Sequence, residues 1–161
     1  MTKRKTSQNI IGDCAVCGAS TRPVVIQEWV VPASATKPSV IVQDVSCLEC
    51  NDCGERYLEP DQIQAFEKKT IEAQRLAKNL LSARDIEQIR KQLGINKDRL
   101  EKILNLNPKS FYRWENSLSI QSDVVDTMLR LLRKHPEVIH ELAEERGVPL
   151  SVSQGRPRKA S

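Results

Sequence analysis

The sequence predicts an α+β protein in two parts: a small β-domain built around cysteines, joined by a helix to an all-α domain. Three observations carry that reading. All five cysteines, Cys14, Cys17, Cys47, Cys50 and Cys53, fall in the first third of the chain. Two runs rich in β-branched residues lie between them, Val24–Val31 and Val40–Val45. Beyond Pro60 there is no Gly or Pro from Asp61 to Lys78, and apolar residues recur at mainly helical spacing.

Composition sets the bounds. A chain of 161 residues has room for one domain or two small ones. Apolar residues at 39% and charged residues at 29% describe an ordinary soluble protein, clear of the disordered class. Aromatics are only 4%, so a core must be built from Leu, Ile and Val. No apolar run approaches the roughly 18 residues that a spanning helix needs, which excludes a membrane span. The start, Met1-Thr-Lys-Arg-Lys5, is basic and lacks the apolar stretch of a signal peptide. A cytoplasmic location is therefore expected, where thiols stay reduced and disulfides are disfavoured. The net charge of +4 is modest.

The elements follow in order. Residues 1–12 are basic and aperiodic and read as a disordered tail. Residues 13–58 read as a β-hairpin domain whose strands are separated by the turn composition Pro32-Ala-Ser-Ala-Thr-Lys-Pro38. This region has little apolar material for folding alone, so a metal is expected to hold it. Residues 59–82 read as a helical linker carrying Ile63, Phe66, Ile71 and Leu76. Residues 83–147 hold the all-α domain. Ser82 with Asp85 opens a helix bearing Ile86, Ile89 and Leu93, and Gly94 stops it. Asn96 caps a short helix with Leu100, Ile103 and Leu104. Asn107-Pro108 is expected to restart the helix, with Asn at the cap and Pro at the first helical position. After the loop Ser117–Ser122, a longer helix begins near Asp123 with Val124, Val125, Met128, Leu129, Leu131 and Leu132. Pro136 interrupts it, and Glu137–Arg146 adds a last turn or two. Residues 148–161 read as a second basic, disordered tail. No internal repeat is present.

The cysteine spacing points to metal. Cys14-Ala-Val-Cys17-Gly18 and Cys50-Asn-Asp-Cys53-Gly54 are matching turns, each able to put two thiolates on one ion. The Gly that trails each pair lets the backbone approach and donate amide hydrogen bonds to the sulfurs. Together the two turns describe a four-Cys zinc ribbon with one structural Zn2+ bound by Cys14, Cys17, Cys50 and Cys53. Cys47 forms an overlapping pair with Cys50, but the Gly after Cys53 favours Cys50 and Cys53 and leaves Cys47 as a spare thiol. A redox Cys-x-x-Cys would sit in a thioredoxin-like βαβ pattern, which is absent. A catalytic zinc would need an open position with His or carboxylate ligands, yet both histidines, His135 and His140, lie near the C terminus.

The helical half reads as a helix-turn-helix, whose second short helix enters the DNA major groove. The candidate recognition segment is Asn107-Pro-Lys-Ser-Phe-Tyr-Arg-Trp-Glu-Asn116. Asn107, Lys109, Ser110, Tyr112 and Arg113 offer polar groups, whereas Phe111 and Trp114 belong to the core. Lys109 and Arg113, four apart, share a helical face. Arg can grip guanine O6 and N7 bidentately. Lys97 and Lys102, on the preceding helix, suit backbone phosphates. The blander alternative is a helical bundle with a charged face.

Phe111-Tyr-Arg-Trp-Glu-Asn116 resembles the signature of Cro/CI-type (XRE) helix-turn-helix domains. Met128-Leu-Arg-Leu-Leu-Arg-Lys-His-Pro-Glu-Val138 is similar to the segment that follows it in MqsA antitoxins. The cysteine turns, with Cys50-Asn-Asp-Cys-Gly-Glu-Arg-Tyr-Leu58, resemble the YgiT-type zinc finger of the same proteins. Over about residues 13–142 the chain thus resembles the MqsA/YgiT-type antitoxin family. The resemblance implies a zinc domain that binds a partner toxin, usually an mRNA-cleaving RNase. It also implies a dimerising helical domain that binds a palindromic operator and represses its own operon. The family reads bases with an Asn and an Arg four residues apart. The Arg matches Arg113, but Lys109 stands at the Asn position, which implies a different operator. Asn96-Lys97 replaces the usual Thr/Ser-Gln at the start of the second helix. The other reading left open is a stand-alone regulator of phage or mobile-element type, with no toxin. An enzyme is not expected, since no paired carboxylates, Ser/His/Asp set or phosphate loop is present.

Overall fold

The computed structural model describes residues 13–150, so the tail expected at 1–12 and residues 151–161 of the C-terminal tail lie outside the described residues. The chain divides between Asn79 and Leu80 into two compact units.

The first unit is a three-stranded antiparallel sheet with one helix. Strands β1 (Thr21–Val31) and β2 (Val40–Cys50) form a long hairpin in the register Thr21↔Cys50 to Val31↔Val40, and β3 (Arg56–Tyr57) pairs with the end of β2. The strands outrun the valine-rich stretches because polar partners meet across them. Glu49 accepts from Arg22 on one side at 3.0 Å and from Arg56 on the other at 3.1 Å, linking all three strands. The two guanidiniums hold its carboxyl below the usual range.

Halfway along the hairpin the ladder lacks one rung, between Gln27 and Asp44, where Asp44 adopts φ 50°. Strand side chains alternate faces, so inward positions should keep one parity along a strand. Here they change parity at the break. In β2 the buried set runs Val40, Val42, then Val45, Cys47; in β1 the half-buried set runs Val24, Ile26, then Trp29, Val31. Lys69 Nζ donates to the carbonyls of Gln43 and Asp44 at 3.0 and 2.7 Å, satisfying oxygens at the break.

Helix α1 (Pro60–Ala77) packs on β2, so residues 59–79 of the expected linker belong to the first unit and 80–82 to the second. Glu59 and Gln62 form a capping box at its start. Phe66 stacks against Trp29 with ring centroids 5.3 Å apart, and Ile71 is buried. The expected apolar stripe is only partly used: Leu76 is 82% exposed. Five residues beyond Ile71, it has rotated about 140° around the helix from it.

The second unit contains α2 (Ala83–Gln92), α3 (Lys97–Ile103), α4 (Ser110–Glu115), α5 (Asp123–Lys134) and α6 (Val138–Glu145). Ser82, Asn96 and Ser122 cap α2, α3 and α5 through their side chains. Gly94 ends the α2 segment at φ 66°, a conformation that Gly adopts without steric cost. Ile86, Ile89, Leu100, Ile103, Phe111, Leu129 and Leu132 form a single core.

Two expectations are corrected here. Helix α4 starts at Ser110 rather than Pro108, and Asn107 does not cap it. Asn107–Ser110 is instead a turn closed by the Ser110 amide on the Asn107 carbonyl at 3.2 Å, with Lys109 in the left-handed region (φ 66°, ψ 14°). Pro108 takes the second position of that turn, for which its fixed φ is equally suited. Val148 and Leu150, expected in the C-terminal tail, instead pack against the core, and the Val148 amide donates to the Ala143 carbonyl.

Candidate metal centre and candidate nucleic-acid interface

The first site is built by two backbone turns at the open end of the hairpin. Each Cys-x-x-Cys turn ends in a Gly with positive φ, 76° at Gly18 and 72° at Gly54, which swings the following amide back toward the sulfurs. The turns match. Val16 and Asp52 amides donate to Cys14 and Cys50 Sγ at 3.4 Å, and Ala19 and Glu55 amides donate to Cys17 and Cys53. The donors are therefore the residues around each Gly, not the Gly amide itself.

The four sulfurs of Cys14, Cys17, Cys50 and Cys53 lie within 4.8 Å of one another. Cys14 and Cys53 Sγ are 3.6 Å apart, Cys17 and Cys50 Sγ 3.4 Å, and all four cysteines are free thiols. Sulfurs placed 2.3 Å from a tetrahedral ion stand about 3.8 Å apart, so this set fits a four-coordinate metal with no open position. Cys47 lies outside the cluster. It is fully buried in β2 opposite Val24, where burial pushes its thiol up.

The electrostatics favour a cation. Tyr57 Oη donates to Cys14 Sγ at 2.9 Å and, as the largest influence, lowers that thiol to about 6. Cys53 goes the other way. The Glu55 amide favours its thiolate, but Cys17, desolvation, Cys50 and Cys14 outweigh it and push the thiol up to about 12. Within one cluster Cys14 and Cys50 are held down while Cys17 and Cys53 are pushed up, and a divalent cation at their centre favours thiolate at all four. Tyr57 had no role in the sequence reading, since only the pairing of β3 with β2 brings it to Cys14.

The second candidate site is the α3–α4 surface. Asn107, Lys109, Tyr112 and Arg113 are exposed, and Ser110 and Lys97 are half-buried. Phe111 and Trp114 turn inward, 0% and 8% exposed, with rings in edge contact at 5.3 Å.

Polar groups fix α4 from beneath. Glu101 on α3 accepts the Lys109 and Phe111 amides at 2.9 Å each, filling the role of the side-chain cap that α4 lacks. Glu115 receives Arg90 of α2 through both carboxylate oxygens and Lys97 of α3 at 2.9 Å. Lys97 also lies over the Tyr112 ring, 5.6 Å from its centroid. No local sequence pattern marks Glu101, Arg90 or Glu115 for this role.

A family model described as "Antitoxin component of bacterial toxin-antitoxin system, MqsA" matches residues 12–143, most of the chain and both units. The chain belongs to the MqsA antitoxin family. It is also 27% identical over 64 residues to antitoxin HigA-2 of Vibrio cholerae serotype O1, a stretch covering 40% of this chain and 62% of that relative. This MqsA-family chain carries a four-cysteine cluster fitted to a structural metal. Among the described residues no helix is long and apolar enough to cross a membrane.

Proposed function

We propose that this antitoxin is a sequence-specific DNA-binding repressor that neutralises a toxin and autoregulates its own operon in the cytoplasm. In this reading α3 and α4 are the helix-turn-helix of an XRE-type domain, and the chain binds a palindromic operator as a homodimer. The carrying observation is the division of α4: Tyr112 and Arg113 are exposed while Phe111 and Trp114 are buried, on a helix held by Glu101 and by the Arg90–Glu115–Lys97 group.

Such bracing presents a short helix rigidly, as base reading requires. Arg113 is assigned to a base edge. Lys109, Ser110, Tyr112 and Asn107 are assigned to the surrounding groove and backbone. Lys97, tied to Glu115, is placed for a phosphate. The ion of the cysteine cluster is assigned as Zn2+, on the thiolate-only donor set. It supplies folding energy to the first unit and takes no part in a reaction. The first unit is assigned the toxin.

The test is a titration of the full, zinc-loaded chain against a duplex of its own promoter and an unrelated duplex of equal length. Preference for the promoter by about a thousandfold or more is expected at physiological salt. Equal affinity for the two would overturn the repressor reading. Recovery of a stoichiometric neighbouring-gene product with the purified chain tests the toxin partner, and its absence would favour the stand-alone regulator.

A further inference from the structure

Helix α4 presents an aromatic ring to solvent. Tyr112 is 51% exposed, whereas Phe111 and Trp114, the other aromatic residues of the helix, are buried. The ring is held in place. Lys97 of α3 sets its Nζ over the ring, 5.6 Å from the centroid, and is itself 2.9 Å from Glu115 Oε2. Glu115 also receives Arg90 of α2 through both carboxylate oxygens, and its side chain is only 5% exposed. A continuous chain of contacts thus runs from α2 through Glu115 and Lys97 to Tyr112. At the other end of the helix, Asn116 Nδ2 donates to the Tyr112 carbonyl at 2.8 Å and secures the backbone beneath the ring.

We infer that Tyr112 is a specificity-determining residue that packs its ring against the C5-methyl of a thymine next to the base contacted by Arg113, an inference that rests on the DNA-binding reading above. Donors and acceptors mark the other base edges of the major groove, and the thymine methyl is its apolar group. An aromatic ring matches that methyl and cannot replace a guanidinium at guanine. Two side-chain torsions fix a tyrosine, so little freedom is lost when it docks. Lys97 covers one face of the ring, which leaves the other face and the edge for the methyl. Arg113 follows directly, about 100° further round the helix. The two side chains therefore diverge, and Tyr112 is offset from the pair that Arg113 reads.

The bracing explains why the ring can discriminate. A loose tyrosine would slide along the groove and cover apolar area wherever it lay. One tied through Lys97 and Glu115 to two other helices meets a methyl at one position only.

The experiment compares binding of the full, zinc-loaded chain to three duplexes. They are its promoter, the same promoter with every thymine replaced by uracil, and an unrelated duplex of equal length. Uracil pairs as thymine does and carries the same charge, but lacks the C5-methyl. One buried methyl is worth about fourfold in affinity, and the two half-sites of a palindrome make that about fifteenfold. The unaltered chain should bind the uracil promoter more weakly by about that factor. Tyr112→Ala should bind the thymine and uracil promoters equally, with an unchanged salt dependence because no charge is removed. Tyr112→Phe keeps the ring and should keep the full uracil effect. Equal binding of the unaltered chain to both promoters overturns the contact, as does a uracil effect that survives Tyr112→Ala. A uracil effect lost in Tyr112→Phe assigns the contact to the hydroxyl and overturns it too. Failure of the underlying reading looks different: the unaltered chain then has no preference for its promoter over the unrelated duplex, and both inferences fall.

Discussion

Glu101 and Phe111 are joined across the α3–α4 turn by a carboxylate that accepts the Phe111 amide at 2.9 Å, its other oxygen accepting the Lys109 amide at the same distance. A negative charge at a helix start, bonded to otherwise unpartnered N–H groups, meets both the hydrogen-bonding and the dipole requirement of that terminus. Lys109 holds a left-handed backbone at the same place. The orientation of α4 therefore depends on a side chain from the preceding helix.

Glu101→Ala should destabilise the second unit by about 1–3 kcal/mol, because it strands amide donors with no replacement acceptor. Glu101→Gln retains one acceptor oxygen and should cost less. Denaturant unfolding of both variants checks the order; equal stability of Glu101→Ala and the unaltered chain would show that solvent replaces the carboxylate.

Arg113→Ala should weaken promoter binding by about 1–3 kcal/mol and relax selectivity at one base position. Lys97→Ala should instead weaken binding to all sequences and lower the salt slope by about one. Titrations at several salt concentrations separate the two outcomes, and an unchanged promoter affinity for Arg113→Ala would remove α4 as the reading helix.

Cys14→Ser should release the metal and unfold the first unit while α2–α6 stay folded, since a structural ion supplies folding energy only to the unit that binds it. Elemental analysis and a backbone amide NMR spectrum together check this. One metal per chain in the variant would mean that the ligand set is different. Tyr57→Phe should keep the metal but bind it less tightly, because it removes only the hydroxyl on Cys14 Sγ.

Asp126 gives the second unit an acid limit. Burial pushes its carboxyl up, but Arg130 at 2.6 Å, the Leu81 amide at 2.7 Å and Gln121 at 2.9 Å outweigh that and hold it below the ordinary range. A depressed folded value adds stability that is fully present above the unfolded value and is lost as pH falls through the folded one. Asp126→Asn should therefore be less stable than the unaltered chain at pH 7, with the gap closing below about pH 4. Urea unfolding at a series of pH values measures it; a gap independent of pH would assign the loss to packing.

The sequence by itself determined whatever is encoded within a few residues. The Ser82 and Asn96 caps and the Gly94 stop were legible because each acts on amides or φ angles of its own turn. The two Cys-x-x-Cys-Gly turns and the inward placement of Phe111 and Trp114 were legible for the same reason. Only the tertiary structure decided the rest. The parity switch at Asp44 depends on a rung missing between two strands, and Tyr57 meets Cys14 only because β3 pairs with β2. The start of α4 is set by a carboxylate eight to ten residues upstream, and Val148 and Leu150 read as tail until a core exists for them to cover. Local pattern reports what a residue does to its own turn. Contacts between elements appear only after folding has brought their partners together.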